Sequence, residues 1–206
     1  MKRLFSILLC LFAVLNAKAA DEIESIVNNG DFEDANFTPW RMIFKPGSNG
    51  DAVMNVDEDE IFTGDFSLKV EFNNGGTHKR AVHIIQEPLP VKKGVKYTYS
   101  AIMKAEELRP AVMNTMMAGG GSISTPANKA FELTTDWNEY WFMLEATQDG
   151  NIRLEFEIGL SDVTMWIDHI LFYEGEHIDE RLIIPEVVTK TTDMFAICWG
   201  RIKTGA

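Results

Sequence analysis

The residues of this chain with the most chemical potential are carboxylates set in strand-like surroundings. The stretch VTMWIDHILFYEG, Val163 to Gly175, reads as a buried strand of aromatic and branched residues, yet Asp168 interrupts it beside Trp166, Ile167 and Ile170. Desolvating a lone carboxylate is costly, so Asp168 must either take up a proton or find a compensating partner. In NIRLEFEIG, Arg153, Glu155 and Glu157 stand at alternate positions and project together from one face if Leu154, Phe156 and Ile158 face the core. The four histidines, at 78, 83, 169 and 177, show no zinc-ligand spacing. No Ser-His-Asp, zinc-protease or nucleophile-elbow signature is present.

The elements that must position these groups alternate with period two. Phe66, Leu68, Val70 and Phe72 interleave with Ser67, Lys69 and Glu71, which describes a strand with one face in the core and one in water. The same scheme gives Val95, Tyr97, Tyr99, Ala101 and Met103, then Tyr140, Phe142 and Leu144, then Ile152, Leu154, Phe156 and Ile158. Between them, FNNGGTH, PLPVKKG, MMAGGGSISTPAN and TQDGN concentrate turn residues. Half-buried strands joined by short turns, with hardly any sustained helical period, predict an all-β fold, an antiparallel β-sandwich with jelly-roll topology.

Residues 1–19 read as a secretory signal peptide, with Lys2 and Arg3, an apolar run from Leu4 to Leu15, and Ala17 and Ala19 ahead of the cleavage point. The apolar run is shorter than the roughly 20 residues of a spanning helix, so export with cleavage is expected and membrane insertion is not. Cleavage takes Lys2, Arg3 and Lys18 from the 19 basic residues and none of the 31 acidic ones, which leaves 16 against 31 and a formal charge of −15. Nucleic acid and anionic membrane surfaces are poor partners for such a chain. Cys198 alone remains of the two cysteines, so a core or a metal, rather than a disulfide, must hold the exported domain together.

Five blocks carry a resemblance when taken in order: NNGDFED at Asn28 to Asp34 with Trp40, FTGDFSLKVEF at Phe62 to Phe72, PLPVKKGVKYTYSAIMKA at Pro88 to Ala105, FELTTDWNEYWFML at Phe131 to Leu144, and VTMWIDHILFYEG. Over about residues 26–175 the chain resembles the carbohydrate-binding modules of families four, nine, sixteen and twenty-two, galactose-binding-like jelly rolls commonly attached to secreted bacterial xylanases and glucanases. The resemblance implies a structural calcium held by Glu33, Glu60 and Asp168, with backbone carbonyls from near Gly30 or Asp31 and from Thr63. Calcium takes six to eight oxygens in flexible geometry, which suits such a set. The alternative is that Glu33 and Glu60 are solvated loop acids and Asp168 caps a backbone turn.

Sugar recognition pairs flat aromatic faces with planar amide, carboxylate and guanidinium groups. His83, Gln86, Trp141, Arg153, Glu155 and Glu157 are the candidate carbohydrate-binding residues, on sheet faces opposite the core. Where many family members place a Trp or Tyr ahead of the strand with His83 and Gln86, this chain has His78 or Arg80. Trp141 could substitute, or could be covered by a loop or the tail; Met113 to Met117, read as a loop, could add adaptable apolar contact. Catalysis is the rival of another class, because Glu155 and Glu157 could share a cleft at the roughly 5 Å spacing of retaining glycosidases. Gly159, however, stands where jelly-roll glucanases carry a further acid.

The expected organisation is a signal peptide at 1–19, a β-sandwich at 20–175 and a tail at 176–206. The expected activity is non-catalytic docking of a polysaccharide, of the xylan or β-glucan class, on the outward face of one sheet, by a protein secreted or periplasmic in a bacterium. The alternative is an exported interaction or scaffold domain that keeps the fold without the sugar. The ending TKTTDMFAICWGRIKTGA loosely resembles short TTxWGxIK tags of exported bacterial proteins, which would give the tail an exported partner protein; a packed terminal strand is the other reading.

Overall fold

Period-two patterning becomes strand after strand in the computed structural model, which describes residues 23–179 apart from 118–120, 122–123 and 126. The signal peptide, Cys198 and the tail from residue 180 lie outside the described residues. The strands are β1 (Arg41–Phe44), β2 (Asp51–Asp57), β3 (Ser67–Asn74), β4 (Val82–Val91), β5 (Lys96–Ala105) and β6 (Arg109–Met117). They continue with β7 (Ser124–Thr125), β8 (Asn128–Leu133), β9 (Asn138–Ala146), β10 (Gly150–Glu157) and β11 (Met165–Glu174), and no helix occurs among the described residues.

Two sheets form, one of five strands in the order β1-β4-β10-β6-β8 and one of six in the order β2-β3-β11-β5-β9-β7. The ladders between neighbours are antiparallel. From β3 to β6 the chain changes sheet at every step, and it does so again from β8 to β11, which is the jelly-roll way of burying both inner faces at once. The expected fold class is therefore the observed one. One correction concerns Met113 to Met117, which are not a loop but the second half of β6, paired with β10 throughout and with β8 at Met113 and Asn114.

The inner faces carry the residues that the alternation assigned to them. Leu68, Val70, Tyr97, Tyr99, Phe142, Leu144, Ile152, Leu154, Phe156 and Ile158 all belong to one buried cluster. Aromatic rings cross the interlayer space: Phe156 of β10 lies 5.6 Å from Tyr99 of β5 and 5.9 Å from Trp40, and Tyr99 meets Phe172 of β11 edge-on at 6.4 Å.

Two bulges adjust which side chains face inward. Between Asp168 and Leu171, β11 carries one more residue than β5, and His169 takes a left-handed φ of 48°. The kink lets Ile167 and Ile170 both reach the core and sets Asp168 on the outside. On β4, the pairs Gln86 with Leu154 and Leu89 with Ile152 leave Glu87 and Pro88 opposite Arg153 alone, so inward parity passes from Ile84 to Leu89.

The N-terminal segment closes the gap between the layers. Ile26 donates to the carbonyl of Phe172 at 2.7 Å, and Ile170 donates to the carbonyl of Gly30 at 2.8 Å. A Cβ at residue 30 would lie 2.2 Å from the Ile170 oxygen, so this approach requires glycine.

The aromatic contact between the sheets sets a stability expectation. Phe156 is fully buried, and Phe156→Ala should lower the unfolding free energy by about 3–5 kcal/mol through lost transfer energy and cavity formation. Val53, 48% exposed, should lose no more than about 0.5 kcal/mol as Val53→Ala. Urea titrations of the two variants check the contrast, and similar midpoints would contradict the packing described.

Candidate functional site

The polar row of β10 lies on the outer face of the five-stranded sheet, but it is not open to water. Glu155 is fully buried and Glu157 is 3% exposed. Burial of two carboxylates in one strand is tolerable only because cations and amides surround them. One oxygen of Glu155 meets Arg153 Nε at 2.8 Å and Arg80 Nη2 at 3.1 Å, while the other accepts from Asn114 Nδ2 at 2.9 Å. Glu157 has Lys79 Nζ at 2.7 Å on one oxygen, and on the other Asn114 Nδ2 at 3.2 Å and Arg80 Nε at 3.5 Å. Arg153 reaches on to Glu87 at 3.8 Å, which Arg41 holds from the far side at 2.9 Å.

The strand register explains how these residues meet. Glu155 pairs with Asn114 across β6 and with Ile85 across β4, and Glu157 pairs with Val112 and with His83. Asn114 is thereby placed directly beside both glutamates. Arg80 and Lys79 arrive from the turn before β4, folded back over the end of β10 where Gly159 N donates to the Lys79 carbonyl at 2.8 Å.

Next to this charged floor lies a groove of about 620 Å³. Phe44, His78, Lys79, Arg80, His83 and Asn114 contribute to its lining, and Phe44 is 42% exposed. Two imidazole tautomers follow from the hydrogen bonds. His78 Nδ1 accepts from the Arg80 N–H at 3.0 Å, so its proton sits on Nε2. His83 Nδ1 lies 3.1 Å from the Arg80 carbonyl and must donate to it, so Nε2 presents a lone pair when the ring is neutral.

The six candidate carbohydrate-binding residues do not form one surface. His83, Arg153, Glu155 and Glu157 are brought together as expected. Gln86 is not on their face: it stands three residues from His83 on one strand, hence on the opposite side. Its amide exchanges two 2.9 Å hydrogen bonds with the backbone of Asn28, which ties the N-terminal segment to β4. Trp141 lies on β9, in the other sheet, where His177 stacks on its ring at 3.8 Å and 6°. The chain just after β11 covers it. Phe44, Lys79 and Asn114, which sequence reasoning did not single out, complete the groove instead. Asn114 sits in the stretch misread as a loop, and Phe44 ends a strand of four residues, too short for alternation to stand out.

Asp168 finds its partners in the backbone. Oδ2 accepts from the N–H groups of Phe62 and Thr63, both at 3.1 Å, and Oδ1 accepts from His169 at 2.7 Å. Burial pushes its carboxyl up to about 7, those three donors oppose the rise, and the charge of Glu33 adds to it. Glu33 accepts from Asp65 and Phe66 at 3.0–3.1 Å, so both acids hold the loop before β3. Glu60 is drawn elsewhere, to Lys104 Nζ at 2.7 Å. Among the described residues no three acidic, His or Cys groups come together as a metal site. Of the three acids expected to hold a cation, Glu33 and Asp168 both meet the loop before β3, whereas Glu60 turns to Lys104.

Burial beside the groove holds the pKa of His83 below its ordinary 6.5, with Glu155 pulling the other way. The unfolded chain therefore takes up a proton before the folded one does. Stability from this residue is present above pH 6.5 and is lost as pH falls below it; burial gives His169 the same sign. His83→Asn should remove this positive contribution to the slope of unfolding free energy between pH 5.5 and 7.5, where the raised carboxyl of Asp168 contributes with the opposite sign; urea titrations measure it, and a slope identical to that of the unaltered protein would exclude the effect.

The comparisons agree with this architecture. Residues 24–164 match the family model of the carbohydrate binding domain. Among solved structures, a family-four carbohydrate-binding module superposes with a TM-score of 0.56 at 20% identity, over 72% of this chain and 99% of that one. The second N-terminal cellulose-binding domain of β-1,4-glucanase C from Cellulomonas fimi gives 0.57 at 14%, over 77% and 99%. The first family-22 xylan-binding domain of Xyn10C from Paenibacillus barcinonensis gives 0.52 at 14%, over 76% and 97%. Identities this low speak for the fold alone, and no curated protein matches the chain. With the family model spanning most of the described sandwich, the chain belongs to the carbohydrate binding domain family.

Proposed function

We propose that this protein docks a polysaccharide or oligosaccharide of the xylan or β-glucan class, without catalysis, in the groove on the outer face of the five-stranded sheet. The observation that carries this reading is the groove's composition. An exposed aromatic ring, Phe44, stands beside the guanidinium of Arg80, the imidazole of His83 and the amide of Asn114. Ring faces stack on the apolar side of a pyranose, and planar polar groups satisfy its hydroxyls. The absence of catalysis is supported by the state of the paired glutamates: each of their four oxygens is already engaged by a cation or an amide donor. Export to the periplasm or exterior rests on residues 1–19, and a bacterial source on the kind of protein to which such modules are attached.

Phe44→Ala should weaken binding to xylo- or cello-oligosaccharides on the order of tenfold while the melting temperature stays unchanged. Isothermal titration across xylan, mixed-linkage glucan and cello-oligosaccharides checks it. Binding to none of them would favour the second reading, an interaction or scaffold domain that has lost the sugar. A specific observation speaks for that reading: Trp141, a large ring outside the core, is covered by His177 rather than offered to a ligand.

The proposal includes a structural calcium, from which Glu60 is left out because Lys104 already engages it. Glu33 and Asp168 are its protein carboxylates, and a bound cation would offset their mutual repulsion where the N-terminal segment meets β11. Calcium should raise the melting temperature relative to EGTA at neutral pH; Glu33→Gln should abolish the difference, whereas Glu60→Gln should leave it intact. Equal melting of the unaltered protein in both buffers would retire the metal.

A further inference from the structure

The charge around the groove runs against the charge of the chain. Acidic residues outnumber basic ones, for a net charge of −12, yet among the described residues Lys45, Lys79 and Arg80 line the groove against Glu157 as the one acid. The acids are also hidden. Side chains of Lys79 and Arg80 are 39% and 30% exposed, while those of Glu157 and Glu155 are 2% and 0% exposed. Lys45 is exposed as well. A ligand in the groove therefore meets cations first.

Donor bookkeeping points the same way. Arg80 commits Nε and one Nη2 hydrogen to the glutamates out of five N–H groups, and Lys79 commits one of three. The His78 proton is on Nε2, since Nδ1 is an acceptor. Asn114 spends its amide hydrogens on Glu155 and Glu157. Surplus donors on this rim suit an acceptor-only group. Neutral sugar hydroxyls donate as well as accept and leave such a rim partly unused, whereas a carboxylate accepts charge-assisted hydrogen bonds from it.

We propose that the groove selects glycans bearing a carboxylate, such as a uronic acid branch on a xylan backbone, with Lys45, Lys79 and Arg80 receiving the acid group. This deepens the carbohydrate reading and rests on it. The test uses the full exported chain and three probes: xylotriose with one glucuronic acid branch, the same compound with its carboxyl reduced to an alcohol, and unbranched xylotriose. Calorimetry should give the acidic compound an advantage on the order of tenfold over its reduced form. Lys45→Glu, an exposed change monitored by melting temperature, should cancel the advantage of the acidic compound over its reduced form.

Equal affinity for the acidic and reduced compounds would overturn the selectivity and leave the carbohydrate reading standing. No binding of any probe would bring down both. Dextran sulfate binding as tightly as the acidic xylotriose would show attraction to charge alone, and an advantage that survives Lys45→Glu would place the carboxylate somewhere else; either result overturns the proposal.

Discussion

A carboxylate removed from water must be given back, inside the protein, the donors it lost, and much of this molecule's outer architecture follows from that requirement. Glu155 is the extreme case, fully buried on a sheet face that is not the core. Its charge is met by Arg80 and Arg153 and its second oxygen by Asn114, so a turn and the neighbouring strand β6 are fixed around one side chain. Taking away one partner of a buried pair costs about 3–5 kcal/mol, because the remaining charge is left uncompensated. Asp168 obeys the same constraint by another route, with backbone N–H groups in place of cations. In both places a buried acid organises a segment without regular structure: the turn carrying Lys79 and Arg80, and the loop from Phe62 to Phe66.

The two arrangements differ in what they leave free. Around Glu155 and Glu157 the donors outnumber the acceptors, and the excess lies at the surface of a groove. At Asp168 the donors are main-chain amides, two from the loop before β3 and one from His169 of β11 itself. A shared electrostatic rule thus yields a surface capable of recognition in one place and a structural latch in the other.

Much of the sandwich was legible because burial on one face imposes period two. It assigned the inward residues of β3, β5, β9 and β10 correctly. The rule failed where its premise failed. On β6 the outward positions Val112, Asn114 and Met116 are themselves covered or apolar, so the strand shows no polar alternation by which it could be told from a loop. On β4 the extra residue at Glu87 and Pro88 reverses parity midway, which alternation cannot foresee. Gln86 and His83, three apart, fall on opposite faces of β4 by the same alternation. The partner of Asp168 was invisible for a different reason: main-chain amides have no letter in the sequence, and the capping of a backbone turn describes them better than a cluster of three acids. Trp141 was rightly placed outside the core, but the sheet it belongs to and the ring that covers it are properties of the topology.

The stack of His177 on Trp141 also fixes a direction. The groove opens from the five-stranded sheet, and the chain leaves β11 across the outer face of the six-stranded one. The described chain thus ends on the side opposite the groove, so a ligand in the groove and the stack on Trp141 occupy different faces of the sandwich.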